Sequence, residues 1–422
     1  MSTGLPSAKL PSGLRPLRHR SYRLLAASLT LSLLGAGLVI VSLAWQVVAL
    51  GGGPADLSLV TGAEAAGLLV TALIGGVLAD RIPQRRLLMT AQATKATGLG
   101  VAAALSLAGV IQLWQLAAVA LVSGIVDGIY YPAYSALLPA LVPEGELLAA
   151  NGLEGVLRPM LMQAIGPAAA GLIVGTWSPG AALAVTATVV AGAVAWLVVL
   201  PSTPVRRDNL ESSPTLAHLR RDLLDGFAYL WRTPWLRATL AFASLLVLLI
   251  MGPLDVLLPF VIKGHGGGPT DHALVLAAFG VGGGLGAAAM ASARLPRRYL
   301  TVMNLMWGLG CLPMAGVGLT SSVWVMAAGA FVVGAAFEGA TVIWGTLLQR
   351  RVPPELLGRV SSLDFFVSLA FMPVSMAMAG PVSAGIGMNP TFLLAGLVPA
   401  AFAVVAIVAA RMPADELAHP LR

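Results

Sequence analysis

The chain has 422 residues, of which 58% are hydrophobic and only 10% are charged. Soluble domains carry about 25% charged residues, so this composition excludes a soluble globular protein and indicates a membrane protein. The net charge of +7 gives no reason to expect a nucleic-acid partner, because it follows from membrane topology.

Apolar runs of about 20 residues, the length that crosses a bilayer core as a helix, recur along almost the whole chain. The first run is longer than the apolar region of a signal peptide, about 7–15 residues, so we expect it to remain as helix 1. The runs predict an all-α membrane protein with twelve transmembrane helices, at 24–50, 57–79, 87–108, 114–138, 152–175, 180–201, 236–262, 272–293, 299–319, 322–346, 363–384 and 390–411.

The positively charged residues predict the orientation of these helices. All but three of the 25 lysines and arginines fall on one side of the membrane if the N-terminus is cytoplasmic. The exceptions are Lys95, Arg158 and Lys263. Because cytoplasmic loops carry an excess of Lys and Arg, we expect both termini in the cytoplasm, with anionic lipid headgroups close to the basic loops.

Short motifs recur half a chain length apart, which predicts two pseudo-symmetric six-helix halves. Ala79-Asp-Arg-Ile-Pro83 is echoed by Ser292-Ala-Arg-Leu-Pro296, and Val142-Pro143 before helix 5 is echoed by Val352-Pro353 before helix 11. The predicted units are an N-terminal half at 1–201, a cytoplasmic linker with an amphipathic helix at 202–235, and a C-terminal half at 236–422.

Residues for catalysis or metal binding form no recognisable pattern in the sequence. Cys311 is the only cysteine and lies in an apolar run, and the five histidines fall in predicted loops or tails without metal-ligand spacing. Neither a phosphate-cradling loop nor a convincing nucleophile motif is found. We therefore expect no enzyme, metal or cofactor, and a proton gradient rather than ATP as the energy source.

A charged cluster follows predicted helix 2, in the stretch GGVLADRIPQRR at 75–86. Its pattern Gly-x-x-x-Asp-Arg-x-x-x-Arg-Arg, together with the twelve spans in two halves, resembles the major facilitator superfamily over essentially the whole chain. The matching residues are Gly76, Asp80, Arg81, Arg85 and Arg86.

Three weaker patterns are similar to the macrolide-efflux and enterobactin-exporter branch of the drug:proton antiporters in that superfamily. They are Val-Pro-x-x-x-Leu-x-x-Ala-Asn at 142–151, Gly166-Pro167 with Gly171, and Pro-x-x-Leu-x-Gly-Arg-Val-Ser-Ser at 353–362. Together they favour an exporter over an importer.

The resemblance implies that the charged cluster is a gate on the cytoplasmic side. Gly76 lets two helices approach closely, and Asp80 would accept hydrogen bonds at the positive end of helix 11. We expect its partner to be the start of that helix at 358–361, with Ser361 as the capping residue. The alternative is an arginine cluster that only sets topology.

Charged residues inside apolar spans are costly in hydrocarbon and normally face a cavity or a partner. We expect proton coupling to use Asp127, Glu338, Glu64 or Asp255, with the first two as the leading candidates. The alternative for each is a helix-packing role, and for Glu64 and Asp255 also a role in an outer gate. Asp127 and Arg158 fall at similar depth, by the rise of about 1.5 Å per helical residue, and are predicted to form an ion pair. The apolar setting of Glu338 favours the neutral form that a proton carrier needs. Lys95 is expected to snorkel toward the interface.

Aromatic and polar residues near mid-span predict a surface for an amphipathic, often cationic, substrate. Core packing or interfacial anchoring is the alternative for each of them. The candidates are Trp45, Gln46, Tyr130, Tyr131, Asn304 and Trp307.

These features predict a secondary active transporter that exports a small amphipathic compound in exchange for protons by alternating access. The alternatives are a proton-coupled importer of a nutrient or siderophore and, from another class, a membrane sensor or scaffold without transport. Abundant arginine, alanine and glycine are typical of a GC-rich bacterial genome, so we expect the bacterial plasma membrane. We expect a monomer whose partners are the substrate, protons and lipids.

Overall fold

The structure, a computed structural model, describes residues 12–201 and 227–421. Within these ranges some side chains are not described, including those at positions 76, 80, 358 and 359. Residues 202–226, most of the predicted linker, lie outside the described residues. Helices are the only regular secondary structure in the described ranges, which contain no strand.

Six long helices make up the first half, and a π-helical segment interrupts the fifth. They are α1 (Arg20–Ala49), α2 (Pro54–Arg81), α3 (Gln84–Leu107), α4 (Leu113–Leu137), α5 (Leu147–Arg158, the π segment Pro159–Ile165, and Gly166–Thr176) and α6 (Pro179–Val199).

The second half repeats this arrangement, with breaks in three helices and a short helix after the last. It contains α7 (Pro234–Gly252, the π segment Pro253–Leu257, and Leu258–Gly264), α8 (Pro269–Ser292), α9 (Tyr299–Gly310 and Leu312–Val317), α10 (Val323–Arg351), α11 (Pro354–Ala370 and Met372–Ile386), α12 (Met388–Ala409) and α13 (Met412–Ala418).

One turn occurs twice and relates the two halves. The sequence GGGPAD at 51–56 enters α2, and GGGPTD at 266–271 enters α8. The first residue of each helix is a proline. The Asp side chain accepts a hydrogen bond of 2.8 Å from the backbone N–H three residues earlier. This repeat was missed in the sequence, although it marks corresponding helix starts more clearly than the motifs that predicted the halves.

Ten of the described helices are long and apolar enough to cross a membrane, judged by length and composition. Of the two remaining predicted spans, α3 carries Arg85, Arg86 and Lys95, and α11 is broken at Phe371, which leaves Met372–Ile386 as a shorter apolar helix. The predicted all-α, multi-pass membrane fold is confirmed.

The apolar core is one cluster at one end of the bundle and two clusters at the other. The single cluster joins both halves and includes Val41 of α1 and Val256 of α7. At the opposite end, Leu25 belongs to a cluster of the first half and Leu240 to a cluster of the second. We call the end with the shared core the outer end and the opposite end the inner end. That the outer end faces away from the cytoplasm stays a prediction from the charge pattern.

Small residues bring the two halves together at the outer end. A Cβ atom on Gly380 of α11 would lie 2.5 Å from the Cα of Ala55 in α2, and one on Gly171 of α5 would lie 2.8 Å from the carbonyl oxygen of Pro269 in α8. The backbone N–H of Gly380 also donates to the Ser58 hydroxyl over 2.8 Å. Only glycine permits backbones to approach this closely, so these crossings depend on it.

Candidate functional site

A cavity of about 330 Å³ lies between the halves, where the shared core of the outer end stops. Its wall is largely apolar and includes Ile40 of α1, Phe279 of α8 and Met376 of α11. Small-molecule sites commonly enclose about 300–1,000 Å³, so the space suits a small organic compound.

All four candidates for proton coupling line this cavity. Glu64 comes from α2 and Asp127 from α4, while Asp255 comes from α7 and Glu338 from α10, so each half contributes two. Their role in proton coupling stays a prediction, but the fold brings to one site four groups that are far apart in sequence.

Asp127 pairs with Lys95 and not, as predicted, with Arg158. The Lys95 Nζ atom lies 2.6 Å from the Asp127 carboxylate, and the lysine side chain is only 7% exposed. The prediction that Lys95 snorkels to the interface is therefore also wrong. Similar depth is not sufficient for an ion pair: the side chain of Lys95 on α3 reaches Asp127 on α4, whereas that of Arg158 pairs with Glu154.

Arg158 instead forms an ion pair within its own helix, with Glu154 one turn earlier. Its guanidinium group also donates to the Tyr131 hydroxyl over 3.3 Å and lies 5.0 Å from the centre of the Tyr131 ring. Arg158 therefore holds Tyr131, a cavity residue, at the inner side of the wall.

The acids of the two halves have different electrostatic surroundings. Lys95 interacts with Glu64 as well as with Asp127, so both acids of the first half have a nearby cation. Among the residues that the structure describes, no lysine or arginine pairs with Asp255 or Glu338. A proton or a positively charged ligand could therefore neutralise Asp255 and Glu338 without first displacing a lysine or arginine.

Of the six residues predicted to form the substrate surface, only Tyr131 lines the cavity. Each of the other five is buried against protein: Trp45 donates to His272, Gln46 accepts from Ser106, Tyr130 contacts Ser32, Asn304 donates to the Leu300 carbonyl, and Trp307 donates to the Phe337 carbonyl. They were chosen for a position near mid-span, but Trp45 and Gln46 lie in the last five residues of α1. The sequence also did not predict which helix face turns toward the cavity.

Two π segments border the cavity and follow prolines. Gln163 lies in the segment that starts at Pro159, and Asp255 in the one that starts at Pro253; both side chains line the cavity. Proline removes a backbone donor and crowds the preceding turn, which accounts for a locally widened helix.

The predicted cytoplasmic gate is only partly within the described residues. Arg85 donates to the carbonyls of Leu197 and Val198 over 2.8 and 2.6 Å, so it caps the end of α6 in its own half. Ser361 lies well inside α11, which begins at Pro354, so the prediction that it caps the helix start is wrong. Arg81 and Arg86 are exposed. The side chains at 76 and 80 lie outside the described residues, and their gating role stays a prediction.

His272, the first residue of the predicted span 272–293, was missed because it was grouped with the histidines of loops and tails. It is the fourth residue of α8, is 1% exposed, and accepts a hydrogen bond of 3.3 Å at Nδ1 from Trp45 Nε1 of the other half. Its Nε2 atom is buried without a partner in the described structure. The repeated Gly-Pro-x-Asp turn would have found it, because that turn sets the start of α8 before His272.

A family model described as "Major Facilitator Superfamily" matches residues 25–368. The chain belongs to the Major Facilitator Superfamily. It is therefore a membrane transport protein and not an enzyme, and the resemblance drawn from the charged cluster is confirmed.

Curated members of the superfamily are similar over much of the chain. The MFS-type transporter y4rN of Sinorhizobium fredii is 33% identical over 64% of this chain and 66% of its own length. The multidrug efflux pump Tap of Mycolicibacterium fortuitum is 28% identical over 91% of this chain and 94% of its own. Macrolide efflux protein A of Streptococcus pyogenes is 26% identical over 80% and 84%.

Solved structures share the fold at low sequence identity. The nucleoside transporter NupG superposes with a TM-score of 0.70 at 14% identity, covering 93% of this chain and 98% of its own. A POT family transporter in complex with 5-aminolevulinic acid gives 0.68 at 12% identity, covering 93% and 96%. At these identities the likeness concerns architecture alone.

Proposed function

We propose that this protein is a proton-coupled exporter of small amphipathic compounds in the bacterial plasma membrane, with both termini in the cytoplasm. The observation that carries the proposal is the set of four acids around one largely apolar cavity between the halves. Export is further supported by the printed names of two relatives, a multidrug efflux pump and a macrolide efflux protein.

The cavity wall favours a substrate with an apolar body and a positive charge. Apolar side chains supply most of the contact surface, and Asp255 and Glu338 supply negative charge with no ion-pair partner in the described structure. A cationic amphipathic compound would meet both needs, and a proton would compete with it for the same carboxylates.

Competition for the carboxylates gives the coupling mechanism. When protons neutralise Asp255 and Glu338 on the outer side, a cationic substrate loses its partners and leaves; on the inner side, substrate entry displaces the protons. Lys95 neutralises Asp127, and lies near Glu64, while the Lys95–Asp127 pair is closed; when this pair opens, Asp127 also takes up a proton. Rocking of the two halves, with the shared core at the outer end alternately closed and opened, would expose the cavity to each side.

The test uses inverted membrane vesicles with an acid interior. Ethidium, erythromycin and a catecholate siderophore are added in turn, and discharge of the proton gradient is recorded for the wild type and for Asp255→Asn, Glu338→Gln, Asp127→Asn and Glu64→Gln. Glu146→Gln is the control, because Glu146 lies at the inner end away from the cavity and pairs with His19.

We expect ethidium or erythromycin to discharge the gradient in the wild type and in the Glu146 control, and Asp255→Asn or Glu338→Gln to reduce the discharge at least about tenfold. Discharge only by a compound loaded inside the vesicles would indicate symport and overturn export. No discharge by any compound, from inserted and folded protein, would contradict proton-coupled transport of this substrate class.

A further inference from the structure

A second, much smaller cavity adjoins the first and rests entirely in the N-terminal half. It measures about 20 Å³ and lies between α1, α3 and α4, where Ser32, Gln92 and Tyr130 are the polar residues that line this cavity but not the main one. Lys95 and Asp127 line both cavities, so this ion pair forms the boundary between them.

An unpartnered acceptor marks this small cavity as polar. Gln92 is 4% exposed; its Nε2 atom donates to the Ser32 hydroxyl over 2.9 Å, while its Oε1 atom is buried and has no hydrogen-bond partner in the described structure. A buried amide oxygen without a partner costs about 1–3 kcal/mol, so an arrangement that persists at this site needs a donor for it.

The space is large enough for one water molecule. A buried water needs about 10–15 Å³ of accessible cavity volume and two to four polar partners. The lining residues carry acceptors, Gln92 Oε1 and the Asp127 carboxylate, and donors, Lys95 Nζ and the Tyr130 hydroxyl. The lysine also donates to Asp127 over 2.6 Å, and the tyrosine to Ser32 over 3.4 Å. The surrounding titratable groups are Lys95, Asp127, Tyr130 and Tyr131 from α3 and α4, whereas α1 contributes only Ser32 as a polar group.

The cavity also lies on the inner side of the ion pair. Gln92 is three residues before Lys95 in α3, which runs outward, and Tyr130 is three residues after Asp127 in α4, which runs inward. Each is therefore about one helical turn nearer the inner end than the charged group beside it.

Resting on the proposed function, we propose that this side cavity binds one water, held by Gln92 Oε1, which takes the proton of Asp127 toward the inner side without passing through the substrate cavity. The O–H bond of the protonated carboxyl breaks as the water gains the proton. The carboxylate re-forms its pair with Lys95, and the hydronium passes a proton to solvent at the inner end. Asp127 can then lose its proton while substrate occupies the main cavity.

Gln92→Leu tests this route, because leucine keeps the apolar packing but removes the acceptor and fills the space. Asn304→Leu is the matched control: Asn304 is also a buried amide with an unpartnered oxygen, but it lies in the C-terminal half away from both cavities. The first readout is water itself. Radiolytic footprinting in ¹⁸O-labelled water should modify Tyr130, although this residue is only 4% exposed, and the modification should disappear in Gln92→Leu.

The second readout separates proton release from substrate handling, with ethidium as the probe. Gln92→Leu should slow proton-driven ethidium uptake into inverted vesicles at least about tenfold, and leave ethidium binding and ethidium–ethidium exchange without a gradient within about twofold. Asn304→Leu should leave the ratio of driven uptake to exchange unchanged.

Wild-type coupled uptake in Gln92→Leu, or an equal loss of uptake and exchange, would overturn the proton route. If wild-type protein moves no protons with any compound, the proposed function fails, and footprinting still decides the water site. Absence of label at Tyr130 in wild-type protein would then overturn the site as well.

Discussion

The outer and inner ends of the bundle hold the two halves in different ways. At the outer end a single apolar core crosses from one half to the other, and glycines allow backbone contact between α2 and α11 and between α5 and α8. At the inner end each half has a core of its own, and the described polar contacts tie helices within a half, as Arg85 ties α3 to α6 and Arg351 ties α10 to α13 through Asp415.

This difference suggests that opening costs more at the outer end. Separating the halves there would expose apolar surface and break the two hydrogen bonds described between them, Trp45 to His272 and Gly380 to Ser58. For the outer end to open, contacts that form between the halves at the inner end must offset this free-energy cost. The charged segment at 76–86 is the sequence-based candidate for those contacts.

The largest effect should come from preventing the outer end from opening. A Cβ atom on Gly62 of α2 would lie 3.2 Å from the Cβ of Ala377 in α11, close to the spacing of about 3.5–4.5 Å in disulfides. In the double variant Gly62→Cys with Ala377→Cys, oxidation should abolish ethidium transport and reduction should restore it. Native Cys311 is buried and does not compete.

The two single-cysteine variants are the controls for this lock, and they should transport equally under oxidising and reducing conditions. Mass spectrometry gives the crosslinked fraction. If fully crosslinked protein still transports ethidium, the outer end does not open during the cycle and alternating access by these halves is wrong.

A smaller but still large effect should come from preventing the outer end from closing. Gly380→Ala places a methyl group against the backbone of Ala55, which cannot move aside as a side chain would. Overpacking of this kind costs about 1–3 kcal/mol, and here it acts only on the closed outer end, so we expect transport to fall about tenfold.

Gly385→Ala is the matched control in the same helix, because a Cβ atom there would meet nothing within 4 Å. Spin labels on the outer loops at Val110 and Leu319, measured by double electron–electron resonance, should report a longer distance in Gly380→Ala only. If distances and transport are unchanged, the helix crossing at Gly380 tolerates a methyl group and the close contact does not control closure of the outer end.

How much the sequence predicted depends on which physical signal was involved. Hydropathy and charge placement predicted the spans and the four cavity acids, because a charge in hydrocarbon is costly wherever it lies along a span. Pairing was predicted incorrectly, since Asp127 meets Lys95 only through the rotation of α3 against α4, and hydropathy does not encode that rotation.

The predicted substrate surface also failed because the sequence does not show how each helix is rotated. Tyr130 and Tyr131 are adjacent in α4, yet Tyr131 lines the main cavity while Tyr130 is buried beside Ser32. Neighbouring helical residues point about 100° apart, so the two phenols necessarily face different surroundings. Tertiary packing decides which of them reaches the cavity, and the small side cavity next to Gln92 left no sequence signal at all.

The smallest predicted effect concerns the single hydrogen bond between Trp45 and His272. Trp45→Phe keeps an aromatic ring in the shared core but removes the donor, which leaves both ring nitrogens of buried His272 without a described partner. A neutral hydrogen bond contributes about 1 kcal/mol, and since about 1.4 kcal/mol is tenfold, the closed outer end should lose about fivefold in population. In Trp45→Phe, the ratio of short to long Val110–Leu319 distances should therefore fall about fivefold. It should not change in Trp324→Phe, where the replaced tryptophan is 73% exposed. An effect as large as that of Gly380→Ala would mean that the hydrogen bond, and not the glycine crossing, holds the outer end closed.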